Sequence, residues 1–278
     1  MCARFLTVAE DSLIVHPTKL TKSILANTNL VRQAFRQAGR RAYKVHRFYQ
    51  LWQIYRRYSA FTMIAKPTYI NNLLIANSFR HIRGCVVECG VWRGGMIAGL
   101  ADVLGPGREY FLFDSFEGLP PAEEIDGPAA LRWQANTQSP GYHDNCKAPA
   151  DDARTAMSLS AAAHFSLLKG WFNETIPPFK PSERIALLRL DADWYESTLI
   201  CLKHLYPHVA PGGVVIIDDY EPWDGCARAV HEFLFMHASG GVPRIRQYGN
   251  AVYYMVKPSE MPEAAALDRQ SRGQAEAL

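Results

Sequence analysis

From residue 85 onward the chain alternates short apolar runs with stretches long enough for helices. CVVECG (85–90), EYFLFD (109–114), HFSLLK (164–169), RIALLRLD (184–191) and GVVIID (213–218) each read as strands apolar on both faces. A strand with no face for water belongs inside a parallel sheet covered by helices on both sides. Segments 94–105 and 196–208 are long enough to be crossover helices. A last pair, RIRQY (244–248) and AVYYMVK (251–257), flanks Gly249–Asn250, a two-residue hairpin turn signal. The pattern predicts an α/β fold: a doubly wound, Rossmann-like, mostly parallel sheet ending in an antiparallel hairpin.

Charge divides the chain. Residues 1–60 hold eleven Lys/Arg against Glu10 and Asp11, a segment of +9, while the remainder of the 278 residues sums to −6. Within the basic part, Val31, Ala34, Phe35, Ala38, Ala42, Val45, Tyr49, Trp52 and Tyr55 fall three or four apart, the spacing of one helix face. The preferred reading is a helix packed on the main domain with a solvated basic face. Phe48, Trp52 and Tyr55 are costly to leave exposed, which favours a homo-oligomer over membrane attachment through the same basic helix. No recognised motif accompanies the charge, so nucleic acid is not an expected partner. The expected organisation is a helical extension over 1–60, a catalytic domain over 61–257 and a flexible tail over 258–278. Residues 117–160, rich in Pro, Gly, Ala and Asp, are expected to be a lid, a binding loop or disordered.

Several classes are excluded. At 21% charged residues the chain is not globally disordered, and no stretch approaches about 18 consecutive apolar residues, the length of a membrane span. The opening MCARFLTVAEDSLIVHP lacks the charge-then-apolar order of a secretory signal. Six scattered cysteines form no CxxC or zinc spacing, and a reducing, cytoplasmic setting is expected.

Two groups of residues carry chemistry. In VVECGVWRGG the first strand runs into Glu88, Gly90, Gly94 and Gly95. Glycines between a strand and a helix let a backbone approach a ligand closely. An acid there suits a cationic group better than a pyrophosphate, which favours S-adenosylmethionine over NAD. Asp114 ends the next strand, 26 positions after Glu88, where an acid accepts from ribose hydroxyls. The second group is LLRLDADWYES with Asp191, Asp193 and Glu196, and VVIIDDYEPWDG with Asp218, Asp219, Glu221 and Asp224. If these strands are neighbours, Asp191 converges with Asp218 and Asp219 at their carboxyl ends. Clustered carboxylates need protons or a cation, and hard oxygen donors favour Mg²⁺ or Ca²⁺. The plainer alternative for Asp193 and Glu196 is helix capping.

ECGVWRGG, DSFEGLP, LLRLDADWYEST and PGGVVIIDDY, in that order, resemble the macrocin O-methyltransferase (TylF-type) family over roughly residues 61–254. The resemblance implies a metal-dependent class I S-adenosylmethionine enzyme that methylates sugar hydroxyls, with strand order 3-2-1-4-5-7-6. It implies Asp191, Asp218 and Asp219 as metal ligands and Asp193 as general base. It further implies a cofactor lining of Thr62, Met63, Glu88, Cys89, Gly90, Val91, Trp92, Arg93, Asp114, Ser115, Phe116, Gly118, Trp171, Phe172, Asp191 and Ala192.

The function expected is therefore Mg²⁺-dependent methyl transfer from S-adenosylmethionine to a hydroxyl of a sugar, or of another vicinal diol, on a natural product or glycan. A catechol-type acceptor and a non-catalytic binding scaffold are the alternatives. Trp194, Tyr195, Tyr220 and Trp223 flank the acids and could stack on a sugar; His143 could contact the acceptor or be a solvated loop residue, whereas His231 and Glu232 are expected to be surface or packing residues.

Overall fold

Strand alternation sends successive side chains to opposite faces, and here both faces are covered except in the edge strand over 164–169, where His164, Ser166 and Lys169 are exposed, contrary to the buried run expected. In the computed structural model, which describes residues 46–236 and 242–258, the strands are β1 (Cys85–Cys89), β2 (Glu109–Asp114), β3 (His164–Lys169), β4 (Ile185–Leu190), β5 (Val209–Ile217), β6 (Arg246–Tyr248) and β7 (Val252–Val256). They form one sheet in the order β3-β2-β1-β4-β5-β7-β6, as expected. The first five are parallel and β7 runs antiparallel to both β5 and β6. The hairpin connection differs from expectation: Tyr248 pairs with Val252, so Gly249, Asn250 and Ala251 form a three-residue turn. Gly249 supplies the positive φ (62°) that such a turn needs.

The helices are a first stretch over 46–58 (α1), then α2 (Lys66–Ser78), α3 (Gly95–Leu104), α4 (Gly127–Ala135), α5 (Ala150–Ser158), α6 (Phe172–Thr175), α7 (Tyr195–Leu205) and α8 (Asp224–Met236). Val86, Leu187, Val214 and Ile216 face a core shared with α2, α3 and α5. Val87, Leu188, Val215 and Ile217 face the opposite core, with α7 and α8. Leu51 and Tyr58 are buried in the first core, so the compact body takes in residues assigned above to the extension. Cys85, Cys89, Cys201 and Cys226 are free and buried, small apolar fillers as expected of Cys in apolar runs. The earlier part of the basic helix and the tail from residue 259 lie outside the described residues.

Residues 117–160 are not a loop. They carry α4, α5 and two 3-10 stretches, and they bind back to the body through side chains. Asp126 accepts at Oδ1 from the Tyr195 N–H (2.7 Å), satisfying a free donor at the start of α7. Trp194 Nε1 donates to the Pro120 carbonyl (2.9 Å). Among the described residues, no helix is long and apolar enough to cross a membrane.

Packing between α2 and α3 depends on a missing side chain. Tyr69, fully buried, donates its hydroxyl to the Gly95 carbonyl (2.7 Å) and crosses Gly99, where an added Cβ would overlap Oη and lie 2.8 Å from Cζ. In an open helix Gly→Ala stabilises by about 0.5–1 kcal/mol. Here overpacking of about 1–3 kcal/mol outweighs that gain, so Gly99→Ala is expected to destabilise in urea unfolding. Adding Tyr69→Phe should recover part of the loss, and independent, additive effects would contradict this account.

Candidate active site

A cavity of about 710 Å³ opens at the carboxyl ends of β1, β2, β4 and β5. At one end β1 turns into α3. Gly90 has φ +82°, and a Cβ there would overlap the Asp191 carbonyl, so only glycine lets β1 and β4 end side by side. Asp114 fixes this turn: Oδ2 accepts from the N–H groups of Val91 (2.9 Å) and Trp92 (2.8 Å), and Oδ1 from Phe116 (2.6 Å). Those bonds offset the positive φ of Trp92 (47°) and Phe116 (57°), conformations that cost about 1–3 kcal/mol each. They also oppose the upward push of burial on the Asp114 carboxyl. Asp114 is thus first a brace for the turn, and it still lines the cavity.

Thr62 and Met63 form an adjoining wall. The chain entering this wall passes so close to Gly95 that a Cβ there would stand 2.5 Å from the Phe61 carbonyl oxygen and 3.0 Å from Thr62 Cβ. Glu88, Gly90, Val91, Trp92, Ser115, Gly118, Trp171, Phe172, Asp191 and Ala192 also line the cavity. Three expected lining residues do not. Cys89 is fully buried behind the turn on the opposite sheet face, Phe116 packs into the α2/α3 core, and Arg93 stacks on Trp92 beside Asp152 (3.4 Å).

At the other end stand the acids. Asp191, Asp193 and Asp219 offer carboxylate oxygens all within 4.8 Å of one another. Asp193 has φ +54°, held by its N–H to Asp219 Oδ2 (3.0 Å) and by Trp223 Nε1 to its own Oδ1 (3.0 Å). It therefore does not cap α7, whose first N–H goes to Asp126. Burial, reinforced by Asp191, pushes the Asp193 carboxyl up to about 8. Burial and the Asp193 and Asp191 charges hold Asp219 well above its ordinary range. Asp218 is turned elsewhere, toward Arg189.

Arg189 is the residue that sequence reading passed over. It is completely buried on β4, directly opposite Glu88 of β1 in the ladder. NH1 donates to Glu88 (2.7 Å) and Asp191 (2.8 Å), NH2 lies 2.6 Å from Asp218, and Nε donates to Asn72 of α2 (3.3 Å). Burial alone would lower the guanidinium, but Asp218, Asp191 and Glu88 together hold it above its ordinary value. Burial pushes Glu88 to about 8 and Asp218 to about 6 despite Arg189. The signal was present: an Arg inside the otherwise apolar run IALLRL.

Trp133 of α4, Trp194 and Trp223 meet edge to face with centroids 5.4–6.1 Å apart, so the insertion supports the ring that holds Asp193. Trp194 is almost fully buried yet contributes to the cavity lining, whereas neither Trp133 nor Trp223 lines it. Tyr220 bonds His231 and Tyr195 bonds Glu232, pairs in which neither His231 nor Glu232 reaches the cavity. His143 does not reach it either.

Residues 10–245 match the family model described as Macrocin-O-methyltransferase (TylF). The chain belongs to that family. It is accordingly an enzyme of the S-adenosylmethionine-dependent O-methyltransferase class. It is 34% identical over 189 residues to the Mycinamicin III 3''-O-methyltransferase of Micromonospora griseorubida, spanning 64% of this chain and 72% of that protein. Identity is 38% over 160 residues to the 8-demethyl-8-(2,3-dimethoxy-alpha-L-rhamnosyl)-tetracenomycin-C 4'-O-methyltransferase of Streptomyces olivaceus, spanning 55% of this chain and 58% of that protein. Among solved structures, the O-methyltransferase NovP superposes with a TM-score of 0.58 at 27% identity, covering 71% of this chain and 82% of the other.

In this methyltransferase the donor set suits a hard divalent cation: three carboxylates converge, and no His or Cys is among them. Glu88, Asp193 and Asp218 titrate higher in the folded chain than in an unfolded one. Their protonated forms favour folding at low pH, and that contribution is lost as pH rises through about 6 for Asp218 and about 8 for Glu88 and Asp193. With a chelator present, urea unfolding should show lower stability at about pH 8.5 than at about pH 5. Added Mg²⁺ should restore more at the higher pH. Equal stability at both values would contradict the raised titration of these buried carboxyls.

Proposed function

We propose that this chain transfers a methyl group from S-adenosylmethionine to a hydroxyl of a sugar on a natural product, assisted by Mg²⁺. One observation carries the reading: the braced glycine turn and the acid cluster open into a single cavity, so a methyl donor and an acceptor oxygen can meet there. The two curated relatives described above are named for methylation of mycinamicin III and of a rhamnosyl-bearing tetracenomycin, which supports a glycosylated acceptor.

Glu88, Gly90–Trp92, Asp114, Trp171 and the Thr62–Met63 wall would bind the donor and shut out water. The family pattern assigns the cation to Asp191, Asp218 and Asp219, while the oxygens that converge here are those of Asp191, Asp193 and Asp219. Asp191 and Asp219 are common to both sets and are the ligands proposed. When bound, the cation lowers the pKa of an acceptor hydroxyl and offsets developing negative charge on it. Asp193 takes the hydroxyl proton; burial raises the affinity of its carboxylate for a proton, and the cation beside it would keep that carboxylate ionised until the hydroxyl arrives. The oxygen then attacks the donor's methyl carbon in line, the carbon–sulfur bond breaks and neutral S-adenosylhomocysteine leaves, while the walls supply the alignment. Orientation of this kind is worth up to about 7–11 kcal/mol of barrier.

Turnover measured on glycosylated diols is expected to vanish with a chelator and return with Mg²⁺. Asp193→Asn should lower kcat by about 10²–10⁴-fold with little change in donor affinity. Full activity in the Asp218→Asn/Asp219→Asn double variant would end the metal assignment.

A further inference from the structure

The donor end and the acid end of the cavity share one nitrogen. NH1 of Arg189 donates both to Glu88 Oε1 (2.7 Å) and to Asp191 Oδ2 (2.8 Å), while NH2 sits 2.6 Å from Asp218. Glu88 lies in β1 just before the glycine turn, and Asp191 begins the acid cluster. Arg189 has no exposed surface, and its Nε is tied to Asn72, so it cannot exchange these partners for water. One cation thus answers three carboxylates. The second oxygen of Glu88 is buried without a hydrogen-bond partner, on a residue that lines the cavity.

We propose that Arg189 is a positioning residue that couples the two ends, so that the methyl donor and the divalent cation each weaken the binding of the other. This rests on the function proposed above. A dication beside Asp191 competes for the carboxylate that NH1 holds. The nitrogen's charge then falls more fully on Glu88, whose free oxygen loses its attraction for the cationic sulfonium and ammonium end of the donor. Occupation of the donor end acts on Asp191 in the reverse sense, and linkage requires the same factor in both directions. Direct repulsion between two cations would also weaken binding, but it does not need Arg189 or the charge on Glu88.

The experiment separates these contributions. At a pH above about 8, where Glu88 is ionised, calorimetry gives the Kd of S-adenosylmethionine for the full chain with and without Mn²⁺, and electron paramagnetic resonance gives the Kd of Mn²⁺ with and without S-adenosylmethionine. In the unaltered protein each ligand should raise the Kd of the other by about five-fold, within the usual range of coupling between sites. Arg189→Lys keeps the charge but cannot fork between two carboxylates, and Glu88→Gln keeps shape and acceptor while removing the charge. Both should reduce the factor to what direct repulsion between the two cations contributes. Glu88→Gln, being isosteric, keeps the test available if Arg189→Lys does not fold. The same factor in all three proteins, no mutual effect, or mutual strengthening would overturn the proposal. Failure of the unaltered chain to bind S-adenosylmethionine at all would instead overturn the proposed function, and this inference with it.

Discussion

A fully enclosed guanidinium facing three carboxylates is the constraint around which the rest of this structure is arranged. Removing a charge of this kind from water costs several kcal/mol per ion, and only close pairing and added hydrogen bonds repay it. Arg189 meets that condition by drawing Glu88 from β1, Asp191 from the end of β4, Asp218 from the end of β5 and Asn72 from α2. The central strands therefore end in a fixed register, and α2 is held against them. The site inherits its geometry from that ion network.

The cavity is built on strained backbone that is paid for locally. Trp92 and Asp193 both take left-handed conformations, and each is held by a neighbouring carboxylate, Asp114 for the first and Asp219 for the second. The strain aims the Asp193 side chain at Trp223 and keeps it in the cluster. Support extends outward into residues 117–160. Trp133 packs on Trp223 and Trp194, and Asp126 secures the start of α7. The segment that most resembles a disordered insertion in composition is thus a structural wall. Its many prolines and glycines serve the bends between short helices.

Much of the fold could be read before any coordinate. Runs apolar on both faces can satisfy their surfaces only between two helical layers, and the sheet has the order and ending expected of them, although the edge strand β3 leaves His164, Ser166 and Lys169 exposed. Glu88, Gly90, Asp114, Asp191, Asp193, Asp218 and Asp219 were each visible as acids or glycines at strand ends, and all of them line one cavity. The same alternation could have revealed Arg189. Glu88 and Arg189 share the parity of Val86 and Leu187, and therefore the same sheet face. Reading acids as candidate ligands drew attention away from the single base among them.

By itself the sequence determined the layers of the fold, the position of its glycine turn and the set of acids at its carboxyl edge, because strand periodicity and residue chemistry are local properties. Only the tertiary structure decided which acids converge. Asp218 pairs with Arg189 while Asp193, held in a left-handed turn by Asp219 and Trp223, joins Asp191. It likewise decided that Asp114 braces a turn and that Cys89 and Phe116 pack away from the cavity. These outcomes depend on which side chain satisfies which buried charge or donor across strands far apart in the chain. No local pattern contains that choice.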